Sequence, residues 1–174
     1  IEGIVGYKIG CILGLRYGLL NIMEFIREIT DLPVIYDHQK AGTDIPQLAS
    51  KFAKTCSECK IDAAIIFPHA GPVTEKAYIE ALFKYGVVPI VGGEMTHSGY
   101  LSTDGGFIRD DAPIGIYKNA ATNGVEYFVV PGNKPDVLEK YKRLLCIMVD
   151  EPKFCLPGIG KQGGNIEDAF KRLE

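Results

Sequence analysis

Six short, nearly unbroken apolar runs, spaced about 25 to 30 residues apart, leave this chain very few ways to fold. They lie at 4–10, 34–36, 62–69, 87–97, 127–131 and 154–157. Unbroken apolarity, rather than in-out alternation, means that both faces of each strand are covered, and that is the pattern of a parallel sheet flanked by helices. Stretches with helical spacing fill the intervals. Leu19, Ile22, Met23, Ile26 and Ile29 predict a helix over 19–29, and further helices are expected over 44–57, 74–85, 112–123 and 135–148, with a last one from Ile166. In the 44–57 helix, Asp44 is the expected cap, Pro46 lies in the first turn, and Leu48, Ala49, Phe52 and Ala53 point inward. Polar or glycine-rich residues gather at the C-terminal ends of the strands. That polarity favours an α/β fold of the (β/α)-barrel type, whose site lies on the C-terminal face, over an open doubly wound sheet with one crevice.

The stretch at 33–46 has the densest chemistry. A strand, Val34-Ile35-Tyr36, runs into three ionisable groups, Asp37, Lys40 and Asp44. Lys8 sits in the middle of the first apolar run. It either points to solvent on a half-exposed strand or enters a polar barrel mouth, where Asp37 could pair with it. After the last strand, residues 157–164 read Pro-Gly-Ile-Gly-Lys-Gln-Gly-Gly. Such a glycine-rich loop lets backbone N–H groups converge on an anion, and a late barrel strand is the usual place for a phosphate seat.

Composition narrows the functional classes. With 174 residues, the chain can build one sizeable core, and a single domain over 1–174 is expected. A net charge of -3 gives no footprint for nucleic acid or for an anionic membrane. No apolar run approaches the ~18 residues that span a bilayer. Five cysteines without a regular framework favour a reducing compartment, so a cytoplasmic location is expected. Cys56 and Cys59 form a CxxC, but at the end of a helical stretch and without a second pair, so they read as small packing residues rather than a redox or zinc motif.

Four segments, in order, resemble the orotidine 5′-monophosphate decarboxylases, the archaeal ones especially. Tyr7-Lys8-Ile9-Gly10 is similar to that family's Val-Lys-Ile-Gly strand. The set Asp37, Lys40 and Asp44-Ile45-Pro46 resembles its Asp-x-Lys-x-x-Asp-Ile-Pro signature, expanded here by two residues. The segment from Glu94 to Gly99 resembles Glu-Met-Ser-His-Pro-Gly, and 157–164 resembles Pro-Gly-Val-Gly-x-Gln-Gly-Gly. The resemblance implies a (β/α)8 TIM-type barrel, of which the chain carries about six βα units, with the first and last strands outside it.

The resemblance further implies a carboxy-lyase of pyrimidine (UMP) biosynthesis that converts orotidine 5′-monophosphate to uridine 5′-monophosphate with no cofactor and no metal. Lys40 would protonate C6, Asp37 would lie beside the departing carboxylate, and Lys8 would be the paired lysine near the ribose. Asp44 would serve the neighbouring subunit of a homodimer. Thr96 would meet the pyrimidine edge, and Gly160, Gln162, Gly163 and Gly164 would hold the phosphate. The two extra residues in the signature require a bulge or an early strand end, and Leu48 stands where the family has a threonine near the ribose. Two other readings remain open: a metal-dependent relative such as hexulose-phosphate synthase, and a non-catalytic phosphate-ligand binder.

Overall fold

The computed structural model describes residues 3–173. Hydrogen-bonded strand order follows chain order, β1-β2-β3-β4-β5-β6. The chain divides into two compact units, residues 1–90 and 91–174, with the division falling inside β4.

The first unit holds β1 (Tyr7–Gly10), α1 (Cys11–Tyr17), α2 (Leu19–Ile29), β2 (Val34–Asp37), α3 (Ala49–Glu58), β3 (Ala63–Ile66), α4 (Pro72–Lys84) and the start of β4 (Val88–Gly92). β1 pairs with β2, and β2 with β3, all parallel. Each link needs a helical crossover, as the spacing of the apolar runs required. Val34, Tyr36 and Ile9 are buried on one face of the sheet. The register sets Lys8 opposite Ile35 and Gly10 opposite Asp37, so Lys8 and Asp37 share the other face. All four residues of β3 are buried, as a strand covered on both sides should be.

Three local features differ from expectation. α1 is an additional helix, and none of its residues is buried, so no inward stripe marked it in the sequence. Asp44 is not a helix cap. The chain first makes a 3-10 turn over Pro46–Leu48, with Ile45 at its cap position, and α3 starts only at Ala49. The Asp44 carboxylate instead accepts a 2.7 Å bond from the Ile45 N–H. In α3, Ala49, Ala53 and Cys56 are buried, whereas Leu48 is exposed.

The turn between β2 and α3 is stitched to the end of β3. The Phe67 N–H donates to the Ala41 carbonyl at 3.0 Å, and the Ala70 N–H donates to Gly42 at 3.3 Å. Gly42 makes this possible. Its φ is +87°, and a Cβ there would stand 2.8 Å from the Pro68 Cα. Gly42→Ala therefore combines left-handed strain with a backbone clash and is expected to cost about 2–3 kcal/mol. The denaturant midpoint reads this directly.

The second unit continues β4 and adds α5 (Ala112–Thr122), β5 (Tyr127–Val129), α6 (Pro135–Met148), β6 (Lys153–Cys155) and α7 (Ile166–Leu173). β5 and β6 are parallel, in register from Tyr127 opposite Lys153 to Val129 opposite Cys155. Its core is aromatic. Tyr117, Phe128 and Tyr141 are buried together, with ring centroids 6.2 Å (Tyr117 to Phe128) and 4.7 Å (Tyr117 to Tyr141) apart. The Tyr117 hydroxyl satisfies itself on the Val129 carbonyl at 2.7 Å. Among the described residues, no helix is long and apolar enough to cross a membrane.

Candidate active site

In the first unit, the parallel register of β1 and β2 brings Lys8 to Asp37. The Lys8 ammonium donates to Asp37 Oδ2 at 2.6 Å. The lysine is half exposed and the aspartate side chain is only 12% exposed, so the pair sits at a rim with its acid turned inward. Asp37 Oδ1 is buried and, among the described residues, has no hydrogen-bond partner. A buried carboxylate oxygen left without a donor costs about 1–3 kcal/mol or more, an arrangement that packing alone does not favour.

Among the described residues, Lys40 and Asp44 form no ion pair with Lys8 or Asp37. Lys40 and Asp44 line a cavity of about 460 Å³ with His38, Thr43, Leu48, Lys51, Phe52 and Tyr78, and Asp37 does not line it. Lys40 follows the end of β2 in a turn, where its carbonyl accepts from the Thr43 N–H at 3.1 Å and from the Thr43 hydroxyl. Among the described residues, neither Lys40 nor Asp44 forms an ion pair. The structure thus pairs Lys8 with Asp37 and sets Lys40 and Asp44 around one cavity, with His38 electrostatically coupled to both Asp37 and Lys40. β2 ends at Asp37, and Lys40 is carried by the turn that follows rather than by the strand face.

His38 follows Asp37 directly, at the end of β2. Its Nδ1 lies 2.8 Å from the Tyr36 hydroxyl, and its ring stacks at 5.2 Å on Tyr36 and lies 5.6 Å from Phe52. Burial lowers its pKa; Asp37 opposes that shift and Lys40 reinforces it. The same burial pushes the Tyr36 phenol up to about 12. His38 thus lines the Lys40 cavity, held by Tyr36 and Phe52, with burial favouring its neutral form. His69, at the end of β3, is lowered likewise by burial and then by Lys40.

In the second unit, the glycine-rich loop folds back on itself. The Gly160 N–H donates to Gly164, the Gly163 N–H to Gly160, and the Gly164 N–H to Gly158, each at 2.9 Å. Gly158, Gly160 and Gly163 all have positive φ, a fold that side chains would resist. Gln162 is exposed on this turn. The loop is moored from the neighbouring strand connections: the Gly132 N–H donates to Pro157 at 2.8 Å, and Asn133 Nδ2 donates to the Thr96 carbonyl at 3.1 Å and to the Gln162 carbonyl at 3.4 Å. The structure therefore connects Thr96 with the loop that carries Gly160, Gln162, Gly163 and Gly164.

One network in this unit is not marked by local sequence. Glu94, 3% exposed, receives the Lys134 ammonium on Oε1 at 2.8 Å and the Tyr141 hydroxyl on Oε2. Lys134 also donates to the Met95 carbonyl at 2.9 Å. Burial, followed by the hydrogen bond to Glu94, raises the Tyr141 phenol pKa, so it stays protonated and donates. Lys134 lies 40 positions from Glu94, and nothing short of the fold pairs them.

The CxxC is a packing pair. Cys56 and Cys59 are buried at the end of α3, and burial raises both thiols, Cys56 to about 12. Thiolate chemistry is disfavoured there.

Comparison with known proteins follows this geometry. No family model matches the chain. It is 30% identical over 175 residues to an orotidine 5′-phosphate decarboxylase of Methanococcus maripaludis strain S2, spanning 99% of this chain and 73% of that one. It is 29% identical over 167 residues to the Methanocaldococcus jannaschii enzyme of the same name, covering 96% and 72%. The crystal structure of the Methanocaldococcus jannaschii orotidine 5′-monophosphate decarboxylase complexed with the inhibitor BMP superposes with a TM-score of 0.81 at 27% identity, over 98% of this chain and 73% of that one. An orotidine 5′-phosphate decarboxylase from Pyrococcus horikoshii matches in fold, with a TM-score of 0.77. The six βα units are of the TIM-barrel type, and the chain belongs to the orotidine 5′-phosphate decarboxylase family.

Proposed function

We propose that this protein decarboxylates orotidine 5′-monophosphate to uridine 5′-monophosphate, a step of pyrimidine biosynthesis, with Lys40 as proton donor and no cofactor. The observation that carries the reading is the Lys8–Asp37 pair with its second carboxylate oxygen buried and unpartnered. Loss of carbon dioxide leaves an electron pair at C6 of the pyrimidine. An ammonium is the natural counter-charge to it and also supplies the proton. A fixed carboxylate beside the substrate's own carboxylate crowds the bound substrate, and that repulsion falls as carbon dioxide departs. Lys8 holds Asp37 in that position. Lys40 is exposed, sits on a turn and is free of ion pairs among the described residues, so bringing its ammonium to an anionic ligand breaks no salt bridge.

The remaining roles follow the family's motif. Gly160, Gln162, Gly163 and Gly164 bind the 5′-phosphate, and Thr96 meets the pyrimidine edge. The N–H groups of Gly160, Gly163 and Gly164 already donate within the turn. The support for the first of these is therefore the loop's fixed conformation, which loses little freedom on binding an anion. The exposed Gln162 side chain is the donor left outside that turn. Phosphate binding, remote from C6, supplies energy used at the reacting carbon. Asp44, exposed and free of ion pairs among the described residues, is assigned to the neighbouring subunit of a homodimer.

The test is the fall in orotidylate absorbance on addition of the protein with divalent metal chelated. Sustained turnover under chelation is the expected result. Turnover only with magnesium restored would point to a sugar-phosphate enzyme of the hexulose-phosphate synthase kind, and binding without turnover would point to a ligand-binding protein.

A further inference from the structure

Asn133 lies in the connection between β5 and α6, one residue before the lysine that holds Glu94. Its side-chain nitrogen donates to two carbonyls, Thr96 at 3.1 Å and Gln162 at 3.4 Å. Those carbonyls belong to the segments that follow β4 and β6, the strands on either side of β5. Both neighbours are carbonyl oxygens, which only accept, so the orientation of the amide is set by chemistry: its nitrogen must face them. Its oxygen is then turned into the protein, where it is buried and, among the described residues, has no partner. That oxygen stands 2.8 Å from where a Cβ on Gly158 would lie, at a glycine whose φ is already +95°.

A residue chosen only to fill this space would be apolar. Leucine has nearly the same shape and would bury no orphaned acceptor. The asparagine is therefore explained by what its two N–H groups hold. Fixing the Thr96 and Gln162 carbonyls fixes the separation of two peptide segments, one on each flank. Among the described residues, Asn133 donates to both carbonyls from one nitrogen.

We infer that Asn133 is a positioning residue that sets the distance between the base-contacting segment at Thr96 and the phosphate-contacting loop at Gln162, so that the protein favours ligands carrying both groups at the length of a nucleoside 5′-monophosphate. The inference rests on the functional reading above and deepens it. Asn133 itself touches no reacting atom in this scheme. It makes recognition of the base and of the phosphate cooperative, because each half of the ligand finds the other half's segment already placed.

The experiment compares the unaltered protein with Asn133→Leu, which keeps the shape and removes both donors, and Asn133→Ser, which keeps one. Affinities are measured by calorimetry for uridine 5′-monophosphate, for uridine and for inorganic phosphate, together with the thermal unfolding midpoint. The expected result for Asn133→Leu is a loss of roughly ten-fold in affinity for the monophosphate, the size of about one hydrogen bond. Uridine and phosphate taken separately should change less than about two-fold, since neither alone bridges the two segments. Asn133→Ser should fall between, and it carries the test if the leucine variant does not fold. An unchanged affinity for the monophosphate overturns the inference, and so does an equal loss for all three ligands, which would mark a purely structural residue. If the unaltered protein binds no uridine 5′-monophosphate, the functional reading fails, and the inference with it. Normal binding by the unaltered protein and by both variants sinks the inference alone.

Discussion

Lys40→Ala is expected to lower orotidylate turnover by roughly ten-thousand-fold while leaving uridine 5′-monophosphate binding within a few-fold. The size follows from two roles lost at once. A positioned proton donor is worth about 10²–10⁴ in rate, and a charge aimed at a developing anion contributes roughly a further 10²–10³. Binding should persist because the groups assigned to the phosphate and the pyrimidine edge, Gln162 to Gly164 and Thr96, are unaltered. Fold should persist too, since the Lys40 side chain is exposed and joins no ion pair among the described residues. The assay is single-turnover decarboxylation alongside calorimetric titration of the product. Turnover retained within ten-fold of the unaltered protein, on the scale of about 1.4 kcal/mol, would remove Lys40 from its assigned role.

The second large effect is on stability and lies in the other unit. Lys134→Met leaves Glu94 buried with its ammonium partner gone and the Tyr141 hydroxyl still donating to it. Removing one partner of a buried pair costs about 3–5 kcal/mol. The lower figure suits this pair because the Lys134 side chain is itself 27% exposed, so water can reach part of the gap. We expect a loss of about 3 kcal/mol in urea unfolding. The double variant Lys134→Met/Glu94→Gln should recover much of it, because glutamine removes the buried charge and still accepts from Tyr141. A double variant as unstable as the single one would show that Lys134 acts through packing of its stem rather than through its charge.

Much of the fold was legible because the apolar runs are unbroken. The α2 and α6 helices fall on the residues that helical spacing marked, 19–29 and 135–148, and the parallel strands follow from apolarity on both faces. What could not be read is instructive. The α1 helix has no buried residue, and its stop at Gly18 gives no inward stripe to detect. The 3-10 turn at Pro46 shifts the helix start from Asp44 to Ala49 because proline fixes its own φ without deciding which hydrogen-bond spacing follows.

The site divides along the same line. For Lys8 the sequence left two readings, a solvent-facing lysine or a partner for Asp37, and the structure holds part of each: the side chain is half exposed and its ammonium bonds Asp37. The place of Lys40 was not legible, since residues beyond the end of a strand no longer obey its two-residue alternation. Glu94 with Lys134, and Asn133 with Thr96 and Gln162, are joined between segments that follow the strand ends, where no alternation or strand pairing singles out a partner.

The most direct test of the chemistry assigned to Lys40 and Asp37 is a crystal structure of the protein with uridine 5′-monophosphate bound. The account predicts that the Lys40 ammonium leaves the cavity it shares with Asp44 and Lys51 to stand within hydrogen-bond reach of C6, with the second oxygen of Asp37 facing the same carbon. A nucleotide seated with Lys40 still lining that cavity, and with Asp37 out of reach of the pyrimidine, would contradict it.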